Sequence, residues 1–381
     1  MKIGILTHWW SEDNYGQILQ CYALQKYLRD KGHDAYLIRY DPRKDRISTP
    51  LWEKIQKILN PVELYKFLSF RLLKQKRKMV DVREKKNNTR YFNVFRSKYI
   101  IQSEKIYYYY NELVEDPPAA DAYIVGSDQV WNTFGVPINV SLNRIKAFLL
   151  NFGNSTIKRI AYAASFGKEK LDRDSIEIFT SLLQKFDYIS VREKSGLDIC
   201  KKCGIDHAEW VPDPTLLLDV DVYRTLYKDE PVIKPDKPYC FLYILKNEFS
   251  ISIQSIYDWA DKKGIDVIYI TGNSKQDTYR KTYSTVPEWI YLIEHAEYVI
   301  TNSYHCSIFS LLFKKKFGVI SLKGENNMGM NNRFDSLFQW FEIEERFIDS
   351  DFNVINKEIN WELVSSVLQS SNSSFNDMKI L

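Results

Sequence analysis

Apolar and polar positions follow two rhythms along this chain. Compact apolar runs alternate with stretches whose apolar positions recur at helical spacing. Lys2 to Thr7 reads as a buried strand. Asn14 to Lys31 follows as a helix, with Ile18, Cys21, Tyr22 and Leu28 on one face and Gly32 as its stop. Ala35 to Tyr40 is the next strand, which completes the βαβ opening of a parallel sheet. Further strands are expected at Asp121–Val125, Lys158–Ser165 and Tyr188–Val191, with a helix over Ile176–Phe186. Trp210-Val211-Pro212-Asp213-Pro214-Thr215 reads as a crossing between halves, because proline blocks both helix and central strand.

A second α/β unit follows the crossing. Its strands are expected at Tyr239–Leu245, Asp266–Thr271, Tyr298–Ile300 and Phe317–Leu322, and its first helix at Ile251–Lys263. Thr285-Val286-Pro287-Glu288 has the form of a capping box for a helix ending at His295. Ile308, Leu311 and Leu312 mark a helix entered through Ser303 as its N-cap, with His305 in its first turn. Glu325 to Asn332 reads as a loop, Phe334–Phe341 and Trp361–Leu368 as closing helices, and Ser370–Leu381 as a frayed end. The expected organisation is a first domain over 1–213, a second over 214–346, and a C-terminal helix and tail over 347–381 packing back on the first domain.

Composition alters this picture in one region. Residues 42–105 hold 18 Lys/Arg against 6 Asp/Glu, while the whole chain of 381 residues carries only +4. Apolar positions from Leu51 to Leu73 follow near-helical spacing, interrupted by Pro61, and Lys74-Gln75-Lys76-Arg77-Lys78 follows. This predicts a basic helical insertion over about 42–118. It is either an ordinary insertion with a solvated face or a surface for an anionic membrane. The modest overall charge gives no reason to expect nucleic acid.

Five cysteines form no zinc-spaced pairs beyond the single Cys200-x-x-Cys203. No run approaches the ~18 apolar residues of a membrane span. The expectation is a cytoplasmic protein with reduced thiols, peripheral on the inner face of the membrane if the basic segment binds there. Tyrosines number 26, and aromatics make up 15% of the chain, which fits either sugar handling or a tyrosine-rich core.

Candidate chemistry collects at strand ends, where open parallel sheets bind ligands. The stretches are Asn14-Tyr15-Gly16-Gln17, Gly126-Ser127-Asp128-Gln129-Val130-Trp131-Asn132, Phe166-Gly167, Arg192-Glu193 and Ser303-Tyr304-His305-Cys306. The first βα connection lacks the GxGxxG of a dinucleotide site. A helix start such as Ser303–Cys306 favours an anion, and a histidine beside it can move protons near neutral pH. Either that role or a buried structural histidine suits His305.

Together with Leu19-Gln20, Ala23-Leu24, Ser190-Val191 and Pro212–Thr215, these stretches resemble the polysaccharide pyruvyl transferase family over residues 1 to about 346. The resemblance implies an α/β fold of two Rossmann-like domains facing a cleft, similar to the GT-B glycosyltransferases. It implies transfer of pyruvate from phosphoenolpyruvate to two hydroxyls of a sugar in a cell-surface or capsular polysaccharide precursor, forming a pyruvate ketal. No metal or organic cofactor is expected, and the partners are phosphoenolpyruvate and a sugar or lipid-linked oligosaccharide. Arg192 and His305 match the family's donor arginine and its histidine. Some relatives carry arginine where this chain has Ser303.

On this reading His305 is the general acid/base, and Arg192, Ser303, Tyr304, Cys306 and Arg333 bind the donor. Asn14, Tyr15, Gly16, Gln17, Ser127, Gln129, Trp131 and Asn132 bind the acceptor. Asp128 is read either as a base for the sugar hydroxyl or as a helix cap, and Trp131 and Tyr15 as sugar platforms or core. His8 is the reserve candidate for proton transfer. Two rivals stand beside this reading. One is a nucleotide-sugar glycosyltransferase, for which Glu325 would have to hold the ribose. The other is a non-catalytic glycan- or lipid-binding relative.

Overall fold

The computed structural model describes residues 1–45, 89–245, 250–272, 277–322 and 328–376. The basic amphipathic run, with Lys74–Lys78, and Glu325 lie outside them.

The first domain is built on a seven-stranded, wholly parallel sheet in the order β3-β2-β1-β4-β5-β6-β7. Its strands are β1 (Lys2–Leu6), β2 (Asp34–Tyr40), β3 (Gln102–Tyr107), β4 (Ala122–Val125), β5 (Lys158–Ala164), β6 (Tyr188–Val191) and β7 (Glu209–Trp210). β1, β4 and β5 are buried along nearly their whole length, as parallel strands covered on both faces must be. The helix α1 (Tyr15–Asp30) starts on Asn14, whose side chain accepts the Gln17 N–H. The second domain holds a five-stranded parallel sheet in the order β12-β11-β10-β8-β9. These strands are β8 (Tyr239–Ile244), β9 (Asp266–Thr271), β10 (Tyr298–Thr301), β11 (Lys316–Ile320) and β12 (Phe347–Ile348). The two Rossmann-like domains expected from the sequence are therefore present.

Strand order decides where ligands go. In the first sheet the connections part between β1 and β4, and in the second between β8 and β10. Each parting leaves a crevice beyond the carboxyl ends of the two strands.

Three local expectations change. Residues 92–118 are not part of a helical insertion alone. The helix α2 (Phe92–Tyr99) leads into β3, which extends the sheet beside β2. β3 reads Gln-Ser-Glu-Lys-Ile-Tyr and buries only its last residue fully, as an edge strand can. The stretch expected as a loop up to Asn332 turns helical earlier, in α11 (Met328–Trp340). Phe347–Ile348 pairs with β11 and so joins the second sheet rather than the tail. The Thr285–Glu288 capping box forms as read, opening α9 (Val286–Glu294).

The domains meet through packed side chains. Tyr15 stacks on Trp289 at 5.1 Å with 7° between planes, and its hydroxyl donates to the Ser284 carbonyl at 2.6 Å. The Tyr243 hydroxyl donates to the Asp13 carbonyl at 3.2 Å.

Candidate active site

After β10, Ser303 caps α10 (Tyr304–Leu312) with its Oγ accepting the Cys306 N–H at 3.4 Å. Tyr304 and His305 thus occupy the first two helical positions, whose N–H groups have no acceptor within the helix. His305 is 6% exposed. It packs on Gly16, the second residue of α1, where an added Cβ would sit 2.3 Å from ring atoms of His305. Only glycine lets these two helix starts come so close.

Opposite His305 stands Asp213, which leaves β7 through Val211 and Pro212. Asp213 Oδ2 accepts from Ser127 Oγ at 2.7 Å and from Arg192 Nη1 at 3.1 Å. His305 Nε2 approaches the same oxygen at 3.3 Å, an ion-pair separation without hydrogen-bond alignment. Oδ1 accepts the Thr215 N–H and hydroxyl. Burial alone would raise the Asp213 carboxyl. The His305 ring, the Arg192 cation and the Thr215 N–H outweigh it and hold Asp213 well below the usual carboxylate range.

Arg192 follows β6 and its side chain is fully buried. Its Nε donates to Glu193 Oε1 at 3.0 Å, and Glu193 also accepts the Ser165 hydroxyl at 2.8 Å. Burial disfavours the guanidinium charge, but Glu193, Tyr304 and Asp213 keep it charged. Its Nη2 is buried without a partner among the described residues. The guanidinium lies 4.6 Å from the Tyr304 ring centroid, and Arg333 of α11 lies 5.9 Å from the same centroid. Arg333 Nε is also buried and unpaired among the described residues. Burial, with repulsion from Arg192, brings Arg333 down to about 10. Two guanidiniums, one ring and a helix start thus converge. An unpaired buried donor costs about 1–3 kcal/mol, and an anion is the group that would satisfy these two.

Asp128 caps no helix. It sits in a turn at φ 67°, and no helix begins until α4 (Ile138–Phe148). Its Oδ2 lies 3.1 Å from His8 Nδ1 and accepts Gln17 Nε2 at 3.4 Å. Burial would raise this carboxyl, yet His8, Arg192 and His305 hold it well below its ordinary value.

Several predicted acceptor residues turn out to serve as supports. Trp131 is fully buried, donates to the Phe148 carbonyl at 3.0 Å and packs on Phe166, so its ring has no open face. Tyr15 is equally enclosed, and burial pushes its hydroxyl up to about 12. Gly16 is a contact point for His305. Ser127 belongs to the Asp213 network. Asn132 Nδ2 donates to Gln129 Oε1 at 3.1 Å, and its Oδ1 accepts the Phe134 N–H at 2.7 Å. Gln129 Nε2 is buried and unpaired among the described residues. Asn14 caps α1. Cys306 spends its N–H on Ser303, and burial raises its thiol.

Sequence reasoning assigned no role to Asp213 or Glu193. For Asp213 the available signal was an aspartate between two prolines with threonine two residues on, a pattern for a rigid, self-capped turn. Among the described residues no group of three His, Cys, Asp or Glu side chains is placed to hold a metal ion, and no helix is long and apolar enough to cross a membrane. Cys200 and Cys203 are buried and unbridged. An apolar cavity of about 640 Å³ beside α2 is lined by none of these site residues.

The fold and site define a two-domain α/β protein in which a buried histidine, two arginines and three carboxylates gather where the domains meet. The chain belongs to the polysaccharide pyruvyl transferase family, whose model matches residues 14–324. It is accordingly a transferase of the pyruvyl-transfer class. No curated protein matches it. Among solved structures it is similar to the UDP-GlcNAc 2-epimerase of Methanocaldococcus jannaschii, with 11% identity over 100% of both chains and a TM-score of 0.47. An α-glucosyltransferase in complex with UDP and a 13-mer DNA has 11% identity, covering 98% of this chain and 97% of its own, with a TM-score of 0.43. The glycosyltransferase SsfS6 of Streptomyces sp. SF2575 has 9% identity over 99% of both chains and a TM-score of 0.37.

Proposed function

We propose that this protein transfers the pyruvyl group of phosphoenolpyruvate to two hydroxyls of one sugar in a polysaccharide precursor, forming a cyclic ketal. The observation that carries this reading is the pair of guanidinium nitrogens, Arg192 Nη2 and Arg333 Nε, left unpaired among the described residues beside Tyr304 and the α10 start. A guanidinium suits carboxylate or phosphate, and phosphoenolpyruvate offers both. Arg192 takes one group, and Arg333 with the helix start takes the other. Arg333 supplies a cation in a site whose cap is serine at position 303.

In the reaction a sugar hydroxyl attacks C2 while C3 gains a proton. The second hydroxyl then attacks C2, and the C2–O bond to phosphate breaks with its electron pair leaving on phosphate. The two hydroxyl protons end on C3 and on phosphate, so no cofactor is required. His305, beside the donor cations, is the acid for C3. Cytoplasmic sugar or lipid-linked precursors are the proposed acceptors. The test is mass spectrometry of candidate glycans incubated with phosphoenolpyruvate and enzyme, with calorimetry for the donor. The expected result is a pyruvyl ketal product and donor binding that weakens in Arg192→Ala. Unchanged affinity in that variant would remove Arg192 from the site.

A further inference from the structure

The Leu6–Val125 pairing sets β1 and β4 side by side at the parting of the first sheet. His8 leaves β1 and Asp128 leaves β4, so sheet order brings together two residues 120 apart in sequence. The Asp128 carbonyl accepts the N–H groups of Val130 and Ser165, at 2.8 and 3.2 Å, which fixes the turn. Its backbone is left-handed, at φ 67°, a conformation few non-glycine residues adopt, and such strain is tolerated where the side chain must be aimed.

The His8 ring is 4% exposed and packs at 4.9 Å from Trp10 and 5.1 Å from Phe148. Nδ1 faces Asp128. Nε2 is buried and has no partner among the described residues. An imidazole that gives its Nδ1 proton to a carboxylate presents a lone pair at Nε2. His8 also lines a cavity of about 380 Å³. Gln17, Thr133, Ser141 and Arg144 supply polar groups to its wall, and Trp10 and Phe134 supply rings. Amides and hydroxyls bond sugar hydroxyls, and aromatic faces cover the apolar side of a pyranose.

We infer that His8 is the acceptor base, with Nε2 taking the proton of the attacking sugar hydroxyl, Asp128 as its positioning residue, and the adjoining cavity as the acceptor-sugar subsite. The inference rests on the transferase reading above. The freed oxygen lone pair forms the bond to C2 of phosphoenolpyruvate. The C2=C3 π pair takes its proton at C3 from protonated His305. His8 then yields its proton to the departing phosphate, and His305 recovers one from the second hydroxyl, so both rings return to their starting states.

Two measurements test this. Long-range ¹⁵N NMR on the full-length protein reads the tautomer without any substrate. At neutral pH the His8 ring should carry its proton on Nδ1, and Asp128→Asn should shift that balance. A wild-type ring protonated on Nε2 would overturn the assignment. Turnover with phosphoenolpyruvate and a panel of methyl hexopyranosides bearing adjacent free hydroxyls is the second. His8→Gln should lose at least ~10²-fold in turnover, while its calorimetric affinity for phosphoenolpyruvate stays near wild type. Turnover within about threefold of wild type would overturn the proposal. A wild-type protein that bound no phosphoenolpyruvate would sink the transferase reading and this inference with it, whereas donor binding retained by a fully active His8→Gln would sink this inference alone.

Discussion

Two histidine–carboxylate pairs sit at the two sheet partings, and they are built differently. His8 and Asp128 both belong to the first domain, and among the described residues the Asp128 oxygen that faces His8 accepts one further hydrogen bond, from Gln17. His305 belongs to the second domain but approaches Asp213 of the first, whose oxygen is already shared with Ser127 and Arg192. The first pair is local and needs only the register of β1 and β4. The second exists only while the domains are docked. A proton-transfer pair can thus be held by one sheet alone, or can report that the cleft is assembled.

The largest expected effect comes from breaking the shared pair. Asp213→Asn strips the buried Arg192 of a counter-charge and should cost about 3–5 kcal/mol in urea unfolding. Asp128→Asn, at a partly exposed carboxylate, should cost about 1–3 kcal/mol. Equal losses would erase the distinction. His305→Ala should lose ~10²-fold or more in transfer and keep its fold by circular dichroism, and near-normal turnover would remove it as the acid.

Acid should act on both pairs. Each carboxyl is held below its ordinary value, so between ~4 and the folded values the unfolded chain binds more protons. Stability should therefore rise with pH through that window and be fully present above it. The Asp128→Asn/Asp213→Asn double variant should flatten the slope, measured as urea midpoints against pH. The smallest effect is expected at the cysteine pair. Burial pushes the Cys200 thiol up to about 12 and raises Cys203 as well. Both should react slowly with thiol reagents in the folded protein, and rapid labelling would contradict that enclosure.

The apolar runs that become β1, β4, β8 and β10 were readable because a strand covered on both faces must be apolar throughout. The Ser303 cap and the Thr285 box were readable because capping needs particular residues at fixed offsets. β3 escaped notice because an edge strand can be polar. The His8–Asp128 pair escaped because only strand order, which no local pattern encodes, makes β1 and β4 neighbours. Trp131 and Tyr15 were ambiguous because an indole or phenol at a strand end suits a sugar and a core equally. Packing on Phe166 and Trp289 decides for the core.

Gly16 sets a dimension of the whole molecule. A Cβ there would meet the His305 ring at 2.3 Å, so the bare backbone acts as a spacer of minimal thickness between the domains. Any side chain would push the second domain's histidine away from the first domain's aspartate, lengthening the reach between donor and acceptor halves of the cleft. The Asn-Tyr-Gly turn into α1 is then less a hand that grips a substrate than a gauge that calibrates how far apart the two halves of the enzyme stand.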